Sequence, residues 1–139
     1  NFYVSKLLKD STDLSINRNI KNISASDFII SGDKIKLSIV LKNIFDNIKK
    51  YANSKKPCEF NSLISKKSIT IIIKDFGDGI DEQFLSIITK PFTQGKLNAN
   101  KGFGLGLSIC KKVVEAHNGT FKIRNHSRGA EFKIILPKE

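Results

Sequence analysis

Cysteine is scarce in this chain, arginine is little used, and no long apolar run occurs. Cys58 and Cys110 are the only cysteines among 139 residues, and neither sits in a CxxC pair. That argues against a cysteine-held metal site and for a reducing compartment. Cys110 falls at helical spacing with Leu107, Val113 and Val114, the place of a small buried apolar residue. The longest apolar runs, such as Ile71-Ile72-Ile73, are far too short to span a membrane, and no signal-peptide pattern is present. Of 24 basic side chains only Arg18, Arg124 and Arg128 are arginine. Proteins that read nucleic acids lean on arginine forks for guanine and phosphate. Here the net charge of +11 comes from lysine spread along the chain, so no nucleic-acid partner is expected. There is no internal repeat and no linker-like stretch.

What is present fits one domain over residues 1–139 with a real core. Hydrophobic residues at 40% and charged residues at 27% are ordinary for a globular protein. The first residue is Asn rather than Met, so the chain is expected to be a piece of a longer one. Helical spacing of Phe2, Leu7, Leu8 and Leu14 predicts a first helix over 2–14. Loose alternation over 20–30 suggests two short strands around Ser24-Ala25-Ser26. Asp33 follows a Ser-Gly break as a capping residue. Leu37, Leu41, Ile44 and Ile48 form the apolar stripe of a strong helix over 34–51. Strands are predicted at 58–64 and 68–74, a short helix at 81–88 and a polar, mobile loop at 93–101. A helix over 105–117 stops at Asn118-Gly119, and a hairpin of 120–125 with 130–136 turns at Ser127-Arg128-Gly129.

Three motifs carry chemistry. In Lys101-Gly102-Phe103-Gly104-Leu105-Gly106-Leu107, alternate glycines leave backbone N–H groups uncovered. The helix that follows points its positive end at them, a seat for phosphate oxygens. It lacks the GxxxxGK[ST] spacing of a P-loop, and a polar loop precedes it where a Rossmann fingerprint needs a strand. A flexible glycine loop is the bland alternative. Asn43, Asn47 and Lys50 share a helix face opposite the apolar stripe, with Tyr51 beside them. Asn offers a neutral oxygen to a hard cation such as Mg²⁺, and Lys50 can meet a phosphate. Taken alone, they are better explained as a solvated helix face, since polar residues on an exposed face need no further reason. Asp75-Phe76-Gly77-Asp78-Gly79-Ile80 follows an Ile-rich strand. Its first carboxylate can accept from an exocyclic amine, and its glycines let a flat base approach. A type I′ hairpin is disfavoured because a capped helix follows, and a calcium loop because Gly77 stands where a ligand is needed.

Together, in this order and near these separations, the three motifs resemble the catalytic ATP-binding domain of bacterial sensor histidine kinases. The resemblance runs from the first helix to Leu136-Pro137. It implies an α/β two-layer sandwich, the Bergerat fold, with a mixed sheet against about three helices. It implies Asn47 as the magnesium ligand, with Asn43 and Lys50 near phosphates. Tyr51, Ile80 and Phe92 would border the nucleotide, Asp75 would bond the adenine amine, and Gly77 and Gly79 would admit the base. Gly102, Gly104 and Gly106 would form the hinge of the ATP lid and contact phosphates, with Lys101 beside them and Leu105 and Leu107 as anchors.

The chain departs from the family pattern in three places. Thr89 stands where a first phenylalanine is usual before Pro91-Phe92. The lid has no arginine, which leaves Lys96 or Lys101 for the γ-phosphate. Ala130 replaces a frequent threonine. Related hydrolases and serine kinases place Glu four residues before the magnesium Asn, as a general base. Here Asn43 stands there, and an amide cannot take the proton. His117 and His126 lack the acidic neighbour of a phospho-acceptor. The resemblance therefore implies a domain that binds ATP and Mg²⁺ and donates the γ-phosphoryl group to a histidine on a separate dimerisation domain. The wider implication is two-component signalling, with a response regulator downstream. The domain would be cytoplasmic, without membrane contact, and its parent would sit in the inner membrane. A nucleotide-sensing module without transfer is the alternative.

Overall fold

Apolar residues at every second position build the sheet. The computed structural model of the chain describes residues 1–12, 20–51, 56–85, 105–126 and 129–138, less the side chains of Tyr51, Phe84 and Leu105. In β5 (Ser68–Lys74) burial alternates, with Ile69, Ile71 and Ile73 turned inward. β4 (Cys58–Ile64) lies antiparallel to it, Phe60 opposite Ile73. On the other side runs β7 (Gly129–Pro137), where Ile134 faces Ile71 and Phe132 faces Ile73. β6 (Thr120–His126) follows, with Phe121 opposite Ile134. β2 (Ile20–Asn22) adds to β4 in parallel, so the five-stranded sheet is mixed, in the order β2-β4-β5-β7-β6. β1 (Phe2–Tyr3) and β3 (Ile29–Ile30) form a separate antiparallel pair.

Three helices supply the second layer: α1 (Val4–Asp10), α2 (Lys34–Tyr51) and α4 (Leu105–Ala116); α3 (Glu82–Leu85) is a single turn. Val4 and Leu7 of α1, Leu37, Leu41, Ile44 and Phe45 of α2, and Leu107, Cys110 and Val114 of α4 share one cluster with the inward residues of the strands. Each fully buried Val, Leu, Ile or Phe among them contributes about 1.5–3 kcal/mol by leaving water. The opposite face of the sheet mixes polar residues with Leu63, Ile72 and Ile135. Glu59, Lys74, Glu131 and Arg124 stand side by side on β4, β5, β7 and β6. Glu131 accepts from the Arg124 guanidinium, and Lys74 Nζ lies 3.9 Å away. The two-layer sandwich expected from the sequence is the fold observed.

Helix ends follow local chemistry. Asp33 caps α2 as expected, its Oδ1 accepting from Lys36 N–H at 3.1 Å. α4 ends in a Schellman motif: Asn118 takes φ +60°, its N–H donates to Glu115 O, and Gly119 N–H donates to Val114 O. His117 joins the two ends. Its Nε2 accepts from the Asp33 N–H at 3.0 Å and its Nδ1 bonds Val113 O at 2.8 Å, which sets the Nδ1–H tautomer.

Some expected boundaries differ. The first helix covers only 4–10, because Phe2 and Tyr3 pair with Ile30 and Ile29. The hydroxyls of Ser11 and Thr12 then take the carbonyls of Leu7 and Leu8 and close the helix; Leu14 lies outside the described residues. The two short strands at 20–30 exist, but each pairs elsewhere. The 81–88 helix is described only at 82–85, and the 93–101 loop lies outside the described residues.

Candidate functional site

Asp75 closes the β5–β7 ladder in an unusual way. Its N–H donates to Ala130 O at 3.0 Å, the regular ladder bond. The return bond is exchanged: Ala130 N–H donates not to the Asp75 carbonyl but to its carboxylate Oδ1, at 3.0 Å. Oδ1 also accepts from Gly77 N–H at 3.1 Å. The backbone carbonyl so released bonds His126 Nε2 at 2.7 Å. Two backbone donors hold Oδ1, and no donor among the described residues bonds Oδ2. A buried carboxylate with one oxygen fixed and one oxygen spare is an acceptor for a ligand's N–H. Its charge also acts on Cys58, whose thiol is pushed up to about 11, by burial first and by Asp75 second.

The loop after Asp75 is held at both ends. Phe76 packs edge-on against the His126 ring, centroids 5.6 Å apart, while Lys56 Nζ sits 4.0 Å from the Phe76 ring centre. At the far end the Asn125 amide takes both backbone groups of Ile80, accepting its N–H at 2.8 Å and donating to its C=O at 2.6 Å. Between them Gly79 adopts φ +80°, a conformation that glycine takes at little cost.

A second group lies where α2 meets α4. Asn47 Nδ2 donates to Asn43 O at 2.8 Å, and Asn43 Nδ2 donates to Gly106 O at 3.3 Å. With its nitrogen committed to its own helix, Asn47 presents Oδ1 to any ligand. Asn47 is 9% exposed, so this face is not solvated as the sequence allowed; Lys50, one turn on, is exposed. A Cβ on Gly106 would lie 3.8 Å from Asn43 Cγ, an ordinary contact, so packing against Asn43 does not itself require glycine there. Leu107 is buried in the core and anchors the start of α4. Among the described residues no three His, Cys, Asp or Glu side chains gather to hold a metal. The donor that fits Mg²⁺ is the neutral Asn47 oxygen, which suits a cation held mainly by its ligand's phosphates. Cys110 is no candidate ligand or nucleophile: burial pushes its thiol up to about 12, against a smaller opposing effect of its bond with Asn43.

The structure gathers Asp75, Gly77, Gly79 and Ile80 in one loop, and Asn43, Asn47 and Gly106 at one helix junction. Phe92, Lys101, Gly102 and Gly104, with Lys96, and the side chains of Tyr51 and Leu105 lie outside the described residues. Sequence reasoning missed Asn125, His126 and Gly129. The predicted strand stopped at Asn125; β6 runs on through His126. The only advance signal was Gly129, a glycine beside a predicted strand.

A family model described as histidine kinase-, DNA gyrase B-, and HSP90-like ATPase matches residues 32–139. The sensor protein KdpD of Clostridium acetobutylicum is 36% identical over 98% of this chain and 16% of its own length. The sensor histidine kinase CssS of Bacillus subtilis is 34% identical over 81% of this chain and 24% of its own length. The chain thus spans under a quarter of these curated relatives. The solved ATP-binding domain of PrrB from Mycobacterium tuberculosis superposes with a TM-score of 0.79 at 20% identity, covering 99% of this chain and 96% of that one, a likeness of fold.

Proposed function

Because this chain belongs to the family of histidine kinase-, DNA gyrase B- and HSP90-like ATPases, we propose that it is the ATP-binding catalytic domain of a two-component sensor kinase. It binds Mg-ATP and donates the γ-phosphoryl group to a histidine on a separate dimerisation domain of the same parent protein, for passage to a response regulator. The observation that carries the reading is the Asp75 carboxylate. Its Oδ1 is held by Gly77 and Ala130, and its Oδ2 is left for the 6-amino group of adenine. Gly77 and Gly79 admit the base beside it and Ile80 borders it, with Tyr51 and Phe92 assigned the same part by the family resemblance alone.

The α2–α4 junction takes the phosphate end. Asn47 offers Oδ1 to the cation, Lys50 meets phosphate oxygens, and Asn43 ties α2 to the Gly106 carbonyl at the start of α4. In this reading Gly102, Gly104 and Gly106 are assigned to the phosphates, Lys96 or Lys101 to the γ-phosphate, and Leu105 and Leu107 to anchoring that segment. Mg²⁺, when bound, neutralises charge on the phosphates. The rest is positioning. An imidazole nitrogen of the partner domain attacks the γ-phosphorus, the bond to the bridging β–γ oxygen breaks, and ADP leaves. The acceptor's proton passes to a carboxylate on its own domain, acting as the base. Asn43 has no carboxylate to activate water, so hydrolysis is not supported.

Among the described residues no helix is long and apolar enough to cross a membrane. A cytoplasmic place for this domain, and an inner-membrane anchor on its parent, are parts of the same proposal. Two measurements test it. Mg-ADP at about a hundred times its dissociation constant should add roughly 2.7 kcal/mol of stability in a thermal melt. With γ-labelled ATP the chain alone should neither label itself nor release phosphate at a useful rate. Adding an acceptor domain should give acid-labile label on that domain. Rapid phosphate release, or acid-stable label on this chain, overturns the reading.

A further inference from the structure

We propose that Asn125 and His126, at the end of β6, are positioning residues that set base selectivity. They do so by fixing how the 75–80 loop presents the spare oxygen of Asp75. The inference rests on the reading of Asp75 as the base-recognising group.

The argument is one of donors and acceptors. In a regular antiparallel ladder the Ala130 N–H would donate to the Asp75 carbonyl. It donates to carboxylate Oδ1 instead, and the carbonyl is satisfied by His126 Nε2 at 2.7 Å. Asp75 is 7% exposed, so water is a poor substitute for that donor. Without the imidazole, the carbonyl regains its partner by reclaiming the Ala130 N–H. The carboxylate then loses one of its two anchors and turns. His126 thereby decides which oxygen of Asp75 is held and which is spare. The His126 ring also supports Phe76, over which Lys56 Nζ sits as well.

Asn125 fixes the other end of the loop. Its amide mimics a neighbouring strand, bonding both the N–H and the C=O of Ile80. A Cβ on Gly79 would lie 2.9 Å from Asn125 Oδ1, so the amide also sets the path of the backbone at that glycine. Both side chains act on the base through the loop.

The test compares ADP with inosine diphosphate, which carries a carbonyl where ADP has its 6-amine. Calorimetry on the purified chain gives both dissociation constants. Wild type should prefer ADP, and Asp75→Asn should remove the preference. His126→Phe keeps a ring beside Phe76 but deletes the donor; the preference should fall about tenfold, the effect of losing one hydrogen bond. His126→Gln, whose amide N–H can reach toward the same carbonyl, should restore most of it. Asn125→Ala should lower the preference likewise. Should His126→Phe not fold, His126→Ala reads the same loss. Lowered melting temperatures with an unchanged preference in the His126 and Asn125 variants overturn the inference alone. A wild type without preference for ADP overturns both it and the reading of Asp75.

Discussion

Gly129 and Asp75 are in such close contact that a Cβ on Gly129 would stand 2.4 Å from both the carbonyl oxygen and Oδ1 of Asp75. Gly129 also holds φ +140°, which L side chains rarely adopt. Gly129→Ala must push the β7 end away from the carboxylate. The expected loss is about 1–3 kcal/mol of stability, with weaker ADP binding because the Ala130 N–H moves off Oδ1. A melt and a titration check both; an alanine variant that melts and binds like wild type contradicts the contact.

Asp75→Asn removes the spare acceptor. The side-chain oxygen still receives Gly77 and Ala130, so the amide NH₂ occupies the Oδ2 position and meets the amine of adenine donor to donor. ADP binding should weaken by about 1–3 kcal/mol. Equal affinity in the two proteins by calorimetry would remove Asp75 from the base site.

Asn47→Ala should weaken Mg²⁺-dependent ATP binding more than metal-free ADP binding. Among the described residues the amide nitrogen bonds the Asn43 carbonyl alone, within its own helix. That bond is local, so its loss should leave the fold standing. The check is the Mg²⁺ dependence of affinity in variant and wild type, with a melt to confirm folding. An unchanged metal dependence excludes Asn47 as the ligand.

Glu131 gives a pH dependence unrelated to nucleotide. Its bond with Arg124 holds the carboxyl below the ordinary glutamate range, against the opposing effect of burial. A carboxyl depressed in the folded state stabilises above its unfolded pKa, and that contribution is lost as pH falls through the folded value. Glu131→Gln should therefore lower the melting temperature at pH 7. The gap to wild type should close as the pH drops below the ordinary glutamate range. A gap independent of pH would show that the ion pair contributes nothing.

Several elements were legible because their causes are local. Alternating isoleucines made β5, Asp33 capped α2 three residues before Lys36, and Asn118-Gly119 closed α4 with bonds to carbonyls of its own last turns. β1 was missed because two residues carry no period. Phe2 and Tyr3 read as helix, and pairing with Ile30 and Ile29, far along the chain, overrode that reading.

The site divides in the same way. The sequence alone determined which side chains offer chemistry: the carboxylate of Asp75, the amides of Asn43 and Asn47, and the glycines at 77, 79 and 106, each marked by its residue type and near neighbours. Only the tertiary structure decided what each of them holds. Asn125 and His126 reach the loop from 45 and 51 residues away, and Asn43 meets Gly106 across 63. Those meetings follow from the register of β5, β7 and β6 and from the packing of α2 on α4. Both are set by burial of the whole core, which no local stretch of sequence encodes.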